Sequence, residues 1–341
     1  MTNWEAIAEL QKARVDAGIE TYCLHPSASP RTCSNVIARA HSVQLRGGLS
    51  RIAKNGQVYR YSADPFDYVR NSGRALHKLM GIRNASTFPG FCALHDNTTF
   101  KPIDNDYFSA TLEQCFLVGY RAISRAIFTK RRVKRLVPAF WRISNEVPLS
   151  ERVAIQSYIN AYESVGNLAL SSLESHKRDY DRVLLSHNFS DIRYYVFLLK
   201  DTPDILCSGT LYPECDFEGE CIQSMATGGR LDLITYSLIA TDKGGAIVFA
   251  WDRRSDDSCA RFVQSLGSIP NDLIPHAMVR FLFEFCENKF LSPAWWDGLG
   301  DETRKALELR YAPSPSGKDC LLDDGLRAVS WEISSKQCNI T

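Results

Sequence analysis

The 341-residue chain has no uninterrupted apolar run near the roughly 20 residues that a helix needs to cross a membrane. No membrane role is expected. No self-similar period of about 20 to 50 residues recurs, which excludes a solenoid or a propeller. No low-complexity tract marks a biased segment. The pairs Gly228-Gly229 and Gly244-Gly245 read as turns, because neither sits in a phosphate-loop pattern. No Ser-His-Asp set follows from spacing. The opening, MTNWEAIAELQKARV, carries acidic residues and no long apolar stretch, so it reads as neither a secretory signal nor a transit peptide. Apolar residues make up 45% and charged residues 23%, close to ordinary folded chains, which excludes a disordered or fibrous protein.

Disulfide patterning is also missing. The cysteines number 11, an odd count at irregular spacings, which suits a reducing compartment and places the protein in a cytoplasm. Cys115, Cys207, Cys259, Cys286, Cys320 and Cys338 stand apart in mostly apolar neighbourhoods and read as small buried hydrophobes. Acidic residues are absent from one stretch. From Gln114 to Asn145 the sequence holds Arg121, Arg125, Lys130, Arg131, Arg132, Lys134, Arg135 and Arg142 with no Asp or Glu, although the net charge of the whole chain is only +1.

The periodicities present predict an α+β protein. Trp4 to Ala17 has helical apolar spacing. Thr21 to Cys33 is rich in Pro, Ser and Thr and reads as a loop. Asn35 to Val43 reads as a short strand with His41 near its end, and Asn55-Gly56 suits a tight hairpin. Pro65 to Met80 reads as a helix with Phe66, Val69, Leu76 and Leu79 on its apolar face and His77 as a surface or packing residue. Tyr107 to Phe128 is a strongly apolar helix ending in the basic run. Leu149 to Leu185 is one long helix or two joined at Gly166. From Arg193 the period drops to two, giving strands at RYYVFLLK, ILCSGTLYP, IQSMATG, LITYSLIATD and GAIVFAWD, with a hairpin turn at Asp242 to Gly245. Helices follow at Asp256 to Leu266, Asp272 to Asn288 and Pro293 to Leu309, then a polar tail. The expected organisation is an amino-terminal module over 1–104, a helical region over 105–190 and an α+β domain with an antiparallel meander over 191–341. Trp295 and Trp296 read as packing anchors.

Metal-capable side chains gather in the first hundred residues: Cys23, His25, Cys33, His41, Cys92, His95 and Asp96. A structural zinc needs four thiolate or imidazole ligands brought together by turn-rich loops. Cys92 and His95, three apart, can reach one ion from the first turn of a helix. Cys23 and Cys33 supply a second pair, with His25 or His41 as competing ligands.

These residues resemble the HNH, or ββα-metal, endonucleases. Cys33 followed by Ala40-His41-Ser42-Val43 is similar to a knuckle leading to a strand that ends in a general-base His. Cys92-Ala-Leu-His95-Asp96 is similar to a second knuckle opening the helix that holds the catalytic metal. The resemblance implies a treble-clef-like module in which Cys23, Cys33, Cys92 and His95 hold a structural Zn²⁺. It also implies that His41 activates water and Asp96 binds Mg²⁺ or another divalent ion. About fifty residues separate His41 from Cys92, so the intervening elements would be an insertion. The choice between His41 as a zinc ligand and His41 as a base stays open.

Two functions follow as expectations. One is a metal-dependent endonuclease cutting nucleic acid, suited to a bacterial defence setting, with Lys130, Arg131, Arg132, Lys134 and Arg135 tracking the phosphate backbone. The other is a non-catalytic zinc-stabilised module that binds nucleic acid or, through the carboxy-terminal part, a protein partner.

Overall fold

The computed structural model describes residues 21–62, 76–146, 149–224, 229–310 and 320–340. The helix expected at Trp4 to Ala17 lies outside them, as does the part of the Pro65 helix that precedes Leu76. In chain order the strands are β1 (Ala40–His41), β2 (Gln57–Ser62), β3 (Leu76–Gly81), β4 (Thr87–Phe88), β5 (Ile192–Leu199), β6 (Ile205–Leu211), β7 (Ile234–Thr241), β8 (Gly244–Asp252), β9 (Lys289–Leu291) and β10 (Ile333–Cys338). The main helices are α1 (Ala93–Thr99), α2 (Lys101–Asp104), α3 (Leu112–Lys134), α4 (Val137–Asn145), α5 (Leu149–Ser186), α6 (Asp256–Ser268), α7 (Ile274–Phe285), α8 (Pro293–Gly298) and α9 (Asp301–Leu309). None of them is long and apolar enough to cross a membrane.

The chain divides into two compact units, each assembled from several stretches. Met1–Ala40, Phe88–Asp96 and Ser124–Asp181 make the first; His41–Thr87, Asn97–Ile123 and Arg182–Thr341 make the second. β1 and β4 pair as a two-stranded ribbon, and the eight other strands form one antiparallel sheet in the order β10-β5-β8-β7-β6-β9-β2-β3.

The sheet of the second unit is buried on both faces where β7 and β8 cross its middle, and all nine residues of β8 are buried. Alternation splits β8 between two cores, since successive side chains point to opposite faces. Ile247, Phe249 and Trp251 join Phe262 and Val263 of α6 and Met278, Phe281 and Leu282 of α7. Ala246 and Val248 pack with Val196 of β5, with Ala110 just before α3 and with Cys115 within it. α3 can lie this close because of Gly119, where a Cβ would stand 2.6 Å from the Thr235 hydroxyl.

Several sequence expectations needed correction. Leu76 to Met80 is strand, not helix, paired in register with β2 from Leu76↔Ser62 to Gly81↔Gln57. Its His77 is a packing residue whose ring sits 4.3 Å from Trp296 and 6.0 Å from Phe283. Ile222 to Ser224 form no strand, and residues 225–228 lie outside the described ones. The meander covers β6 to β8, with β5 beside β8. The polar tail supplies β10, an edge strand on β5. Pro293 to Leu309 is two helices with Leu299 and Gly300 between them. Cys338 is exposed rather than buried, and Cys320 is half-buried. Other expectations hold: α5 is one unbroken helix through Gly166, Asn55-Gly56 turns at φ 53 and 71° between Lys54 and Gln57, and Trp296 stacks on Phe283 at 5.9 Å.

Candidate metal centre

The first ligand loop is held by hydroxyl groups. Ser29 Oγ accepts from the amides of Arg31 and Thr32, and its carbonyl accepts from the amide of Cys33 at 3.0 Å. Thr32 Oγ1 donates to the carbonyl of Ser27. Ser and Thr stabilise such turns by bonding nearby backbone, and the result returns Cys33 to the side of Cys23.

The second loop is laid against the first by backbone pairing. Ala38 N donates to Phe91 O at 2.9 Å and Ala93 N to Val36 O at 2.8 Å, around the bridge between Ile37 and Cys92. Leu24 N donates to Gly90 O at 2.8 Å. Cys92 directly precedes α1 and accepts the amide of His95 on its sulfur at 3.4 Å, while its carbonyl accepts the amide of Asp96 at 2.9 Å.

This scaffold brings Cys23, Cys33, Cys92 and His95 together, with their ligand atoms all within 4.8 Å of one another. Nδ1 of His95 lies 3.4 Å from the sulfur of Cys23, 3.7 Å from that of Cys33 and 3.3 Å from that of Cys92. Tetrahedral zinc with ordinary Zn–S and Zn–N lengths separates sulfur from nitrogen by about 3.6 Å. Three thiolates and one imidazole are the donor set of a structural zinc site, and the residues fit that ion. Cys92 is fully buried and His95 is 8% exposed; Cys23 and Cys33 are half-buried.

The surroundings suit an anionic cluster. Burial pushes the Cys23 thiol up to about 11, a cost that a bound cation removes by holding the thiolate. Burial also opposes ionisation of Cys92, but the backbone of His95 and of Ser34 and the side chains of Ser34 and Cys33 outweigh it and bring the thiol down to about 6. Three thiolates around a divalent ion leave one net negative charge. Lys177 stands close by, nearly buried, donating to the carbonyl of Leu24 at 2.9 Å and to Asp181 at 2.5 Å. The ring of His25 stacks on that of His95 at 4.0 Å with 3° between planes. Burial, then His95 and Lys177, push His25 down to about 4. His25 and His41 lie outside the four-residue group, so Cys23 completes it.

His41 ends β1 and is half-buried; Asp96 follows His95 in the first turn of α1, half-buried as well. The basic run closes α3. Lys130, Arg132 and Lys134 are exposed, and so is Arg135 beyond the helix end. Arg131 is tied down, with Nε and Nη2 donating to Glu174 at 3.0 and 2.7 Å and the guanidinium 5.4 Å from the Tyr22 ring. Tyr22, Arg131, Lys134, Arg135 and Leu170 line an open cleft of about 520 Å³. Tyr22 and Lys177 escaped sequence reasoning; only the position of Tyr22 beside Cys23 pointed to it. No protein-family model matches the chain, nor does any curated protein or solved structure.

Proposed function

We propose that the chain is a metal-dependent nucleic-acid endonuclease of HNH-like type, built on a treble-clef-like module with Cys23, Cys33, Cys92 and His95 around a structural zinc. The supporting observation is the composition of the ligand group: Cys23 fills the fourth place and leaves His41 outside the zinc set. The order of elements agrees, since a strand ending in His41 is paired with β4, and β4 leads into the helix that opens at Cys92. In this reading His41 takes the proton of the attacking water, the role a neutral imidazole fills in general-base catalysis. Asp96 is the carboxylate for Mg²⁺ or another divalent ion, which would stabilise charge developing on the phosphate.

The test uses zinc-loaded protein with plasmid DNA and with structured RNA, with and without Mg²⁺. Divalent-dependent cleavage by the wild type, reduced at least about 100-fold in His41→Ala with zinc content and melting unchanged, supports the reading. Absence of cleavage of either substrate, or loss of zinc from His41→Ala, overturns it.

The cleft beside Tyr22 favours a second reading, a zinc-stabilised module that binds nucleic acid without turnover. Cations and an aromatic face are what single-stranded nucleic acid recognition uses. Salt-sensitive binding by a protein that cleaves nothing would establish it.

A further inference from the structure

The connection between β6 and β7 carries Cys215 and Cys221, which face each other across an isolated antiparallel bridge. Asp216 N donates to Glu220 O at 3.0 Å and Ile222 N donates to Glu214 O at 2.9 Å. These bonds flank the two cysteines, which makes them a non-hydrogen-bonded antiparallel pair. Such pairs hold their Cα atoms about 4.5 Å apart with side chains on the same face, inside the range of about 4.4 to 6.8 Å that a disulfide spans.

The turn that creates this facing pair is built independently of any bond between the sulfurs. The buried carboxylate of Asp216 accepts the amides of Glu218 and Glu220, both at 2.9 Å. Phe217 anchors the turn to the core, its amide donating to Ser265 Oγ at 3.1 Å and its ring 5.0 Å from Phe262. Gln223 closes the far side, accepting from Asp232 N and donating to Asp232 O. Cys221 is exposed and Cys215 half-buried, both as thiols.

We infer that Cys215 and Cys221 are an oxidation site, a preorganised dithiol that a peroxide converts to an intrachain disulfide. The exposed Cys221 thiolate attacks the peroxide O–O bond, gaining an S–OH and releasing one water after protonation. The Cys215 thiolate then attacks that sulfur, forms the S–S bond and expels the hydroxyl as a second water. Two thiols lose two electrons and two protons, and the peroxide takes both. Preorganisation makes the second step intramolecular with no backbone rearrangement. A third thiol, Cys320, is the competitor, since the charge of Cys215 reaches it; burial, with Glu284 and Cys215 adding to it, pushes Cys320 up to about 11, which leaves it little thiolate for attack.

The experiment treats zinc-loaded full-length protein with one equivalent of hydrogen peroxide, then denatures and alkylates it. The peptide that runs from Asp201 to Arg230 contains Cys207 as an internal reference. The expected product is that peptide alkylated once, at Cys207, short of two hydrogens, and resistant to fragmentation between Cys215 and Cys221. Cys221→Ser, a surface change, should lose this product while Cys338, an exposed single thiol, stays alkylatable in both proteins. A chromophoric chelator read in parallel reports any zinc released by oxidation of Cys23, Cys33 or Cys92. Alkylation of both Cys215 and Cys221 after treatment, a cross-link to Cys320 or Cys207, or zinc release ahead of the disulfide overturns the inference.

Discussion

The amide of Leu24 donates to the carbonyl of Gly90 at 2.8 Å, so the residue after Cys23 is bonded two positions ahead of Cys92. That approach depends on the absence of a side chain at Gly90, where a Cβ would stand 2.7 Å from the Phe88 ring and 3.3 Å from Leu24. Gly90→Ala should therefore spread the two ligand loops. The expected result is at least a tenfold weaker hold on zinc, of the order seen when the groups supporting a metal site are disturbed, measured by competition with a chelator. An unchanged affinity would show that Phe88 gives way instead.

Purified protein should contain about one zinc per chain, the number one Cys3His group holds. Cys33→Ser and Cys92→Ser should lose it, and a chelator should lower the melting temperature of the wild type to near that of the variants, because binding free energy at a structural site is folding free energy. Cys115→Ser, at a buried thiol outside the cluster, should keep its zinc. Elemental analysis with a melting curve decides both points.

Lys134 and Arg132 are exposed, while Arg131 is held by Glu174. Their substitutions should separate accordingly. Arg132→Gln with Lys134→Gln should weaken nucleic-acid binding evenly across sequences and flatten its salt dependence by about one unit of slope per lost phosphate contact, with melting unchanged. Arg131→Gln should also lower stability, since it leaves Glu174 without its partner. Binding titrations at several salt concentrations, beside melting curves, test this.

His77 predicts an acid-sensitive step. Burial, with Lys289 adding to it, pushes its pKa down to about 3, against about 6.5 in an unfolded chain. Between those values the unfolded chain binds a proton that the folded one refuses, so the contribution of His77 is complete above pH 6.5 and is lost as pH falls towards 3. The loss is on the order of a few kcal/mol. His77→Phe, which keeps a ring beside Trp296, should reduce the slope of stability against pH in that window. Denaturant unfolding of both proteins at neutral and mildly acidic pH measures it; equal slopes would place the acid lability elsewhere.

The Cys and His residues of the metal-capable group were legible in the sequence because metal chemistry restricts residue types and local spacing together. Cys92 and His95 declare a shared ion three residues apart, whereas Cys23, the expected fourth ligand, had His25 and His41 as rivals, and the group that the fold assembles contains Cys23 and neither of these histidines. The long helices were legible too, since α3 and α5 repeat their apolar residues over many turns. β3 was not: Leu76, Leu79 and Met80 satisfy a helical spacing as well as a strand, and only pairing with β2 settles it. β10 has no apolar rhythm, with Ser334 to Cys338 all exposed; its place is fixed by backbone bonds to β5 and by Asn339, whose side chain holds both Tyr194 N and Ile192 O. Cys215 and Cys221 passed unnoticed because the contact between them is made by a turn.

The pairing of β1 with β4 has an effect on what the chain tolerates. The chain leaves at Ser42 and returns at Ser86 beside this ribbon, and Cys33 and Cys92, on either side of it, belong to the same ligand group. The entropy of closing such a loop grows only logarithmically, by about 0.6 kcal/mol for each doubling of its length. Within the excursion β2 and β3 belong to the eight-stranded sheet, so the exposed turn at Asn55-Gly56, rather than the strands, is where added residues would cost the metal centre little.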